Sequence, residues 1–207
     1  MKKLESSLTN MVLVLTGVAL IMGAILAWVN SVTAAPIAQQ KEKTLADGIK
    51  AVMGTDGLTV SKTDTVRQND AKGKELTFII YQTQDAQGND LGAAVESTTL
   101  GFGGNLKVLV GFNPNGDILG YTLLEHAETP GLGAKADQWF QKGQKGDIVG
   151  KNPANPLTVS KDGGQVDAIT ASTITSRAFL LAVNNAYSAY KATPVNDAET
   201  GASKQVK

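Results

Sequence analysis

The feature that most constrains the fold of this chain is an uncharged apolar run near its N-terminus, at residues 11–29. None of the 19 residues in this run carries a charge. A helix rises about 1.5 Å per residue, so the run would be about 28 Å long as a helix. The hydrocarbon core of a bilayer is about 30 Å thick. The sequence therefore predicts an N-terminal transmembrane helix, with residues 1–30 as N-terminus and anchor.

The basic residues on either side of this run predict its orientation in the membrane. Lys2 and Lys3 precede it, and the next basic residue after it is Lys41. Basic residues favour the cytoplasmic side of a membrane helix. We therefore expect a single-pass protein of the inner (cytoplasmic) membrane, with a cytoplasmic N-terminus and an extracytoplasmic, periplasmic C-terminal domain.

A cleaved signal peptide is the alternative interpretation of the same segment. Small residues provide two processing sites, at residues 32–34 and 33–35, although Pro36 directly follows the second. The apolar region of a signal peptide usually has about 7–15 residues, which is shorter than the run found here. The length favours an uncleaved anchor.

The composition excludes several functional classes. Nineteen basic and 19 acidic residues cancel, whereas a nucleic-acid-binding protein needs a basic surplus. The chain has no cysteine, which excludes disulfides, iron–sulfur ligation and thiolate nucleophiles. His126 is the single histidine, so a multi-histidine metal site is impossible. We predict no catalytic residue and no metal ligand, and any electron transfer must use a bound cofactor.

The remainder of the chain predicts one α+β domain. Residues 31–44 are small and polar and are expected to form a tether, and a short helix interrupted by Gly48 follows at 44–53. Residues 54–74 support no assignment. Short polar turns, such as the turn at 113–117, connect runs with strand character and predict an antiparallel sheet. The four predicted strands are 75–83, 91–97, 106–112 and 118–125.

A long helix is predicted at the end of the domain, over residues 173–190. Phe179, Val183, Ala186 and Tyr190 recur at helical spacing and form one apolar face. Between the sheet and this helix we expect a short amphipathic segment ending at residues 139–140, and a short strand near 157–160. The predicted domain spans 45–192, and residues 193–207 form a polar, flexible tail.

A hydroxyl-rich segment marks the start of the predicted C-terminal helix. Five of the seven residues at 170–176 are serine or threonine, and Asp167 precedes them. A helix N-terminus has unpaired N–H groups and the positive end of the helix dipole, so hydroxyls placed there suit a phosphate group. The alternative is an ordinary helix cap, for which serine and threonine are also preferred.

A second motif follows the fourth predicted strand, in the sequence Glu-Thr-Pro-Gly-Leu-Gly at 128–133. Taken alone, it suits a strand-to-helix connection, because proline fixes φ and the two glycines relax the turn. Its glycines would also allow the backbone to approach a flat ring closely. The segment Gly-Phe-Gly-Gly at 101–104 is interpreted as a loop before a strand, and at most as a surface near such a ring.

Together these two motifs resemble the FMN-binding subunits of the Rnf and Na⁺-translocating NADH:quinone reductase complexes. In that family the first signature is Asp-x-x-(Ser/Thr)-Gly-Ala-Thr, and Asp167, Thr170 and Thr173 match it. Ala171 replaces the usual glycine and Ser172 the usual alanine. From Ala171 we infer that this position need not adopt a positive φ, because alanine would be strained there. The second signature, at 128–133, matches without departure.

The resemblance implies a covalent flavin. Thr173 would carry FMN through a phosphodiester installed by a separate flavin transferase, which takes FMN from FAD. Asp167, Thr170, Ala171, Ser172 and Thr173 would form the flavinylation motif. The residues implied to bind the cofactor are Glu128, Thr129, Gly131, Leu132, Gly133, Thr170, Ser172, Ile174 and Thr175.

The chain length resembles that of the G subunit of the Rnf-type complex. This resemblance implies an electron-transfer subunit of an ion-translocating ferredoxin:NAD⁺ oxidoreductase, with other membrane subunits as partners. Two related alternatives remain open: the C subunit of the quinone reductase, and a stand-alone flavinylated carrier outside the cytoplasm. The alternative from another class is an anchored binding or scaffold domain without a cofactor.

Overall fold

A computed structural model of the chain describes residues 8–70 and 73–192. The predicted flexible tail at 193–207 and the basic N-terminus with Lys2 and Lys3 lie outside the described residues. The chain divides into two compact units, residues 1–44 and residues 45–207. The first unit is helical where it is described, and the second contains a sheet and the remaining helices.

The first helix, α1, runs from Leu8 to Met53 and contains the apolar N-terminal run. Among the described residues it is the one helix long and apolar enough to cross a membrane. Its apolar side chains are exposed, including Leu15, Leu20 and Trp28, as a lipid-facing helix requires. The protein is thus membrane-anchored.

The structure differs from the predicted tether and from the predicted interruption at Gly48. Residues 31–44 belong to α1, which continues through both Pro36 and Gly48. The reason lies in the composition of residues 38–43, which are Ala, Gln, Gln, Lys, Glu and Lys. These residues are polar, but they are among the stronger helix formers. Polarity alone was therefore a poor indicator of a nonhelical segment.

Five antiparallel strands form one sheet in the second unit, and their spatial order follows the sequence order. All four predicted strands are confirmed, with ends that differ from the prediction by at most three residues, and the chain forms the predicted α+β fold. One strand, β1, was missed by the sequence analysis. The strands are β1 (Thr59–Asn69), β2 (Glu75–Gln84), β3 (Asp90–Leu100), β4 (Asn105–Phe112) and β5 (Ile118–Glu125).

The two faces of the sheet pack against different helices. On one face, Val95, Val110 and Phe112 contribute to the main core, which also includes residues of the C-terminal helix. On the opposite face, Ala94 and Leu109 pack with the end of α1. Neighbouring residues of a strand point to opposite faces, so the central strands are apolar on both sides. This burial explains why β3 and β4 were predictable from their continuous apolar runs.

The predicted C-terminal helix is confirmed as α3, from Thr173 to Tyr190. Phe179, Val183 and Ala186 of its predicted apolar face are fully buried. Phe140 stacks on Phe179 with 4.3 Å between ring centroids. Phe140 directly follows the short helix α2 at Ala136–Trp139, which is preceded by a 3₁₀ turn at Gly133–Lys135. The expected strand near 157–160 is reduced to a single parallel bridge, between Val159 and Val166.

Candidate functional site

The two sequence motifs meet at a cavity of about 370 Å³. Three segments of the chain form its wall: the loop between β3 and β4, the connection between β5 and α2, and the start of α3. The volume lies in the usual range for small-molecule and cofactor sites, about 300–1,000 Å³. The lining residues are Phe102, Glu128, Thr129, Leu132, Gly133, Ala171, Ser172, Thr173, Ile174 and Thr175.

The carboxylate of Glu128 connects these three segments. Its Oε1 accepts hydrogen bonds from the backbone N–H of Phe102 at 2.8 Å and of Gly103 at 3.3 Å. Its Oε2 accepts a hydrogen bond from Thr175 Oγ1 at 2.6 Å. Glu128 is only 6% exposed, so these donors replace the water that a buried carboxylate would lose. The wall of the cavity is therefore fixed by hydrogen bonds within the protein.

Glycines make this arrangement sterically possible. A Cβ at Gly101 would collide with Glu128 Oε1, and a Cβ at Gly133 would collide with Glu128 Oε2. A Cβ at Gly103 would meet the carbonyl oxygen of Ala127. The glycines of the 128–133 motif were expected to let the backbone approach a flat ring. In the structure, these three glycines admit the Glu128 carboxylate and the neighbouring backbone.

Thr173 and Thr175 occupy different environments in the first turn of α3. Thr173 is half-buried and lines the cavity, and its Oγ1 accepts a hydrogen bond from Lys161 Nζ at 3.1 Å. Thr175 is 1% exposed, and its hydroxyl proton is donated to Glu128. Of the two hydroxyls, that of Thr173 is therefore the one open to chemical modification.

The start of α3 lacks the side-chain cap that the alternative interpretation of the hydroxyl cluster requires. Ser172 is the N-cap residue, but its side chain makes no capping hydrogen bond. Ser176 instead donates its hydroxyl to the carbonyl of Ser172 at 2.9 Å and accepts from the N–H of Ile169 at 2.9 Å. The first N–H groups of α3 thus donate no capping hydrogen bond to the Ser172 side chain, and residues 173–175 of this first turn line the cavity.

The inference that residue 171 would avoid a positive φ was wrong. Ala171 has a φ of 60°, in the left-handed region. The chain turns sharply there to enter α3, directly before the N-cap residue. Alanine thus adopts a conformation that glycine adopts more easily, and the hydrogen bonds of Ser176 to Ile169 and Ser172, on either side of the turn, help to hold it.

Three residues assigned from the sequence lie outside the cavity wall. Gly131 and Thr170 are exposed and do not line it. Asp167 is also exposed, and its Oδ1 accepts a hydrogen bond from Ser160 Oγ at 3.1 Å. The backbone carbonyl of Asp167 accepts a hydrogen bond from Trp139 Nε1 at 2.8 Å. Asp167 therefore shapes the chain just before the first turn of α3 without entering the cavity.

Phe102 and Lys161 were not among the predicted binding residues, although the loop at 101–104 was expected to be, at most, a surface near a ring. Phe102 lines the cavity and remains 59% exposed, unlike the other phenylalanines. The Gly-Phe-Gly-Gly pattern at 101–104 was a usable signal for it. Lys161 had no sequence signal, because it belongs to a polar loop whose position depends on long-range contacts.

His126, the single histidine, lies at the end of a strand and outside the cavity wall. It follows β5 directly, and its Nδ1 accepts a hydrogen bond from the N–H of Glu128 at 3.3 Å. Its Nε2 lies 3.8 Å from Asp137 Oδ2. These contacts orient the residues that follow β5, and the ring does not line the cavity.

A bidentate ion pair lies next to the first turn of α3. Arg177 donates from Nε to Asp162 Oδ2 at 2.8 Å and from Nη2 to Asp162 Oδ1 at 2.7 Å. The hydrogen bonds from Arg177 hold the pKa of the Asp162 carboxyl below its ordinary value. They also raise the pKa of the arginine. The pair attaches the 3₁₀ turn Ser160–Asp162, which carries Lys161, to α3.

Comparison with known proteins identifies a family domain that includes the residues of the cavity wall. Residues 101–188 match the FMN-binding domain family. The chain is 33% identical over 176 residues to the G subunit of the ion-translocating oxidoreductase complex of Shewanella baltica, covering 81% of this chain and 82% of the relative. The protein of the same name from Vibrio cholerae is 34% identical over 181 residues, covering 84% and 86%. That from Aliivibrio fischeri is 38% identical over 131 residues, covering 61% of each.

Proposed function

Because this chain belongs to the family of G subunits of ion-translocating oxidoreductase complexes, we propose that it carries FMN covalently on Thr173 and transfers electrons within such a complex. The complex would be of the Rnf type, a ferredoxin:NAD⁺ oxidoreductase. The chain has no GxGxxG dinucleotide fingerprint, so NAD(H) and ferredoxin would bind other membrane subunits.

The position of the Thr173 hydroxyl is the observation that carries this proposal. It lies on the cavity wall, at the start of a helix, and is accessible, whereas the neighbouring hydroxyl of Thr175 is buried and bonded to Glu128. A phosphodiester on Thr173 would lie beside the first N–H groups of α3, which favour a negative charge. A separate flavin transferase would install it, since the one carboxylate on the described cavity wall, that of Glu128, is already engaged by protein donors.

The cavity fits a flavin ring in chemistry as well as in size. Phe102 and Leu132 are exposed apolar side chains on its wall, 59% and 41% exposed. Binding of a ligand that covers exposed apolar surface in a pocket is favourable, because that surface is removed from water. Both oxygens of Glu128 are already occupied by protein donors, so this residue would hold the walls and leave contact with the ring to its neighbours. FMN would supply the redox chemistry, which no side chain here supplies.

Intact mass tests the attachment directly. The full chain is co-expressed with a flavin transferase and purified in detergent. We expect a gain of one FMN less one water, and covalent flavin fluorescence in a denaturing gel. Thr173→Val keeps the shape of the side chain but removes the hydroxyl, and should abolish the adduct. Thr173→Ser is the matched control and should keep it.

Two results would contradict the proposal. Unmodified wild-type chain, produced with a transferase that modifies a control substrate, would favour a cofactor-free binding or scaffold domain. An adduct that persists in Thr173→Val would place the flavin on another residue. If the adduct is found, co-purification with several polytopic subunits distinguishes a member of a complex from a stand-alone carrier.

The proposed side of the membrane is extracytoplasmic, with the flavin in the periplasm. The support is the charge distribution, with Lys2 and Lys3 before the anchor and no basic residue between it and Lys41. Protease treatment of spheroplasts tests this arrangement, because an exported domain is digested in them and a cytoplasmic one is protected. If the domain were protected in spheroplasts and digested in inverted vesicles, it would lie on the cytoplasmic side, and the proposed orientation would be wrong.

A further inference from the structure

We propose that Lys161 positions the Thr173 hydroxyl for FMN transfer, and that Asp167 acts through Ser160 to hold the turn that carries Lys161. This inference rests on the proposed attachment of FMN to Thr173. It assigns Lys161 to the Thr173 hydroxyl, and it assigns Asp167 to the turn that carries Lys161, away from the flavin. Both are positioning residues of the acceptor site.

The first step is the contact between the ammonium and the hydroxyl. Lys161 Nζ donates a hydrogen bond to Thr173 Oγ1 at 3.1 Å. An ammonium has donors but no acceptor. It therefore bonds a lone pair of the oxygen and leaves the hydroxyl proton free to point elsewhere. The contact restrains the oxygen and leaves its proton available for removal, as an acceptor of a phosphoryl group requires.

The second step is the attachment of the turn that carries Lys161. A lysine on an exposed loop would ordinarily lose much side-chain entropy on being held in one place. Here the 3₁₀ turn Ser160–Asp162 is fixed at both ends. Asp162 forms the bidentate pair with Arg177, one helical turn after Thr173. At the other end Ser160 Oγ donates to Asp167 Oδ1.

These contacts explain why an aspartate that lies outside the cavity belongs to the flavinylation motif. The Asp167 carboxylate holds Ser160, the residue directly before Lys161. The N–H of Ser160 also donates to the carbonyl of Val166 at 2.8 Å, which is the residue directly before Asp167. The chain before the motif and the turn of Lys161 are therefore joined by two hydrogen bonds.

The reaction served by this arrangement is a phosphoryl transfer without any redox change. The Thr173 oxygen forms a bond to the FMN phosphorus of FAD, and the pyrophosphate bond to AMP breaks. The hydroxyl proton goes to a base of the transferase, and AMP leaves with the other phosphate. The Lys161 ammonium stabilises the negative charge that develops on the threonine oxygen, and then lies beside the singly charged diester.

Kinetics of flavinylation with purified components test the proposal. The full chain in detergent is treated with a flavin transferase at saturating FAD, the chain concentration is varied, and covalent flavin is measured in denaturing gels. We expect Lys161→Gln to lower kcat about tenfold with KM within about twofold, because the loss is in positioning. Lys161→Arg keeps a charged donor and should recover most of the rate. Ser160→Ala should lower kcat by about threefold, since it loosens the turn only.

The matched control is Lys142→Gln, which removes the same charge from an exposed lysine elsewhere in the domain. It should leave both constants at their wild-type values, and all variants should melt within about 2 °C of wild type. Wild-type kcat for Lys161→Gln, on a chain still modified at Thr173, would overturn the role of Lys161 alone. A change confined to KM would also overturn it, because it would indicate docking of the transferase. A wild-type chain that accepts no FMN would overturn the proposed function itself.

Discussion

Replacing Ala171 by glycine should stabilise the protein, because this residue holds a left-handed conformation in the turn before α3. Its φ is 60°. The left-handed conformation costs an L-residue with a Cβ about 1–2 kcal/mol, and it costs glycine almost nothing. Glycine also has more freedom in the unfolded chain, which offsets about 0.4–1 kcal/mol of the gain. The net expectation is a free energy of unfolding raised by about 0.5–1 kcal/mol.

Urea unfolding of the full chain in detergent measures this difference. With a denaturant slope of about 2 kcal/mol per molar, the midpoint should rise by about 0.3–0.5 M. Ala154→Gly is the matched control, since Ala154 is also exposed and has no positive φ. It should lower stability by about 0.5–1 kcal/mol. If Ala171→Gly lowers the midpoint as Ala154→Gly does, residue 171 does not hold the left-handed conformation in solution and the explanation of the turn is wrong.

Two further predictions concern the hydrogen bonds around the cavity. Thr175→Val leaves the buried Oε2 of Glu128 without its donor, and should lower the free energy of unfolding by about 1–3 kcal/mol. Thr173→Val should cost less than about 1 kcal/mol, since its partner Lys161 is exposed; equal urea midpoints for these two variants would contradict the difference in environment. Asp162 should titrate below its ordinary pKa of 3.8, and Arg177→Gln should move it back towards that value, as followed by NMR of the carboxyl carbon. Because the folded pKa is lowered, the pair stabilises the fold above the unfolded pKa, and this stabilisation is lost as pH falls through the folded value; an Asp162 midpoint unchanged by Arg177→Gln would contradict the ion pair.

The fold was predictable where burial imposes a pattern on the sequence. β2 to β5 and α3 carry apolar residues at the spacing of their secondary structure, and they were found with nearly correct ends. β1 was missed because it is an edge strand with mostly exposed residues, so Lys62, Asp64 and Arg67 are tolerated in it. The helical state of residues 31–44 was missed for the related reason that polarity does not exclude helix.

Most residues that line the candidate cavity were predictable from the sequence, and the contacts among them were not. The motifs at 128–133 and 170–176 supplied most of the cavity wall. The role of Glu128 could not be read from its motif, because its partners Phe102 and Thr175 are 26 and 47 residues away in the chain. Lys161 is near Thr173 in the sequence, but the turn that carries it is held by the pairing of Asp162 with Arg177 and of Ser160 with Asp167, which no sequence pattern revealed.

The distribution of hydrogen bonds indicates that the cavity is formed before any cofactor enters it. One carboxylate, that of Glu128, joins the loop with Phe102 to the first turn of α3, and its bonds are complete within the protein. If the flavin had to supply the hydrogen bonds of the Glu128 carboxylate, the protein without flavin would contain a buried charge without partners, which would destabilise its fold. Under the proposed function, a preformed wall would let a transferase meet Thr173 in a defined position. An acceptor modified by a second enzyme must be folded first, and the contacts of Glu128 would provide that order.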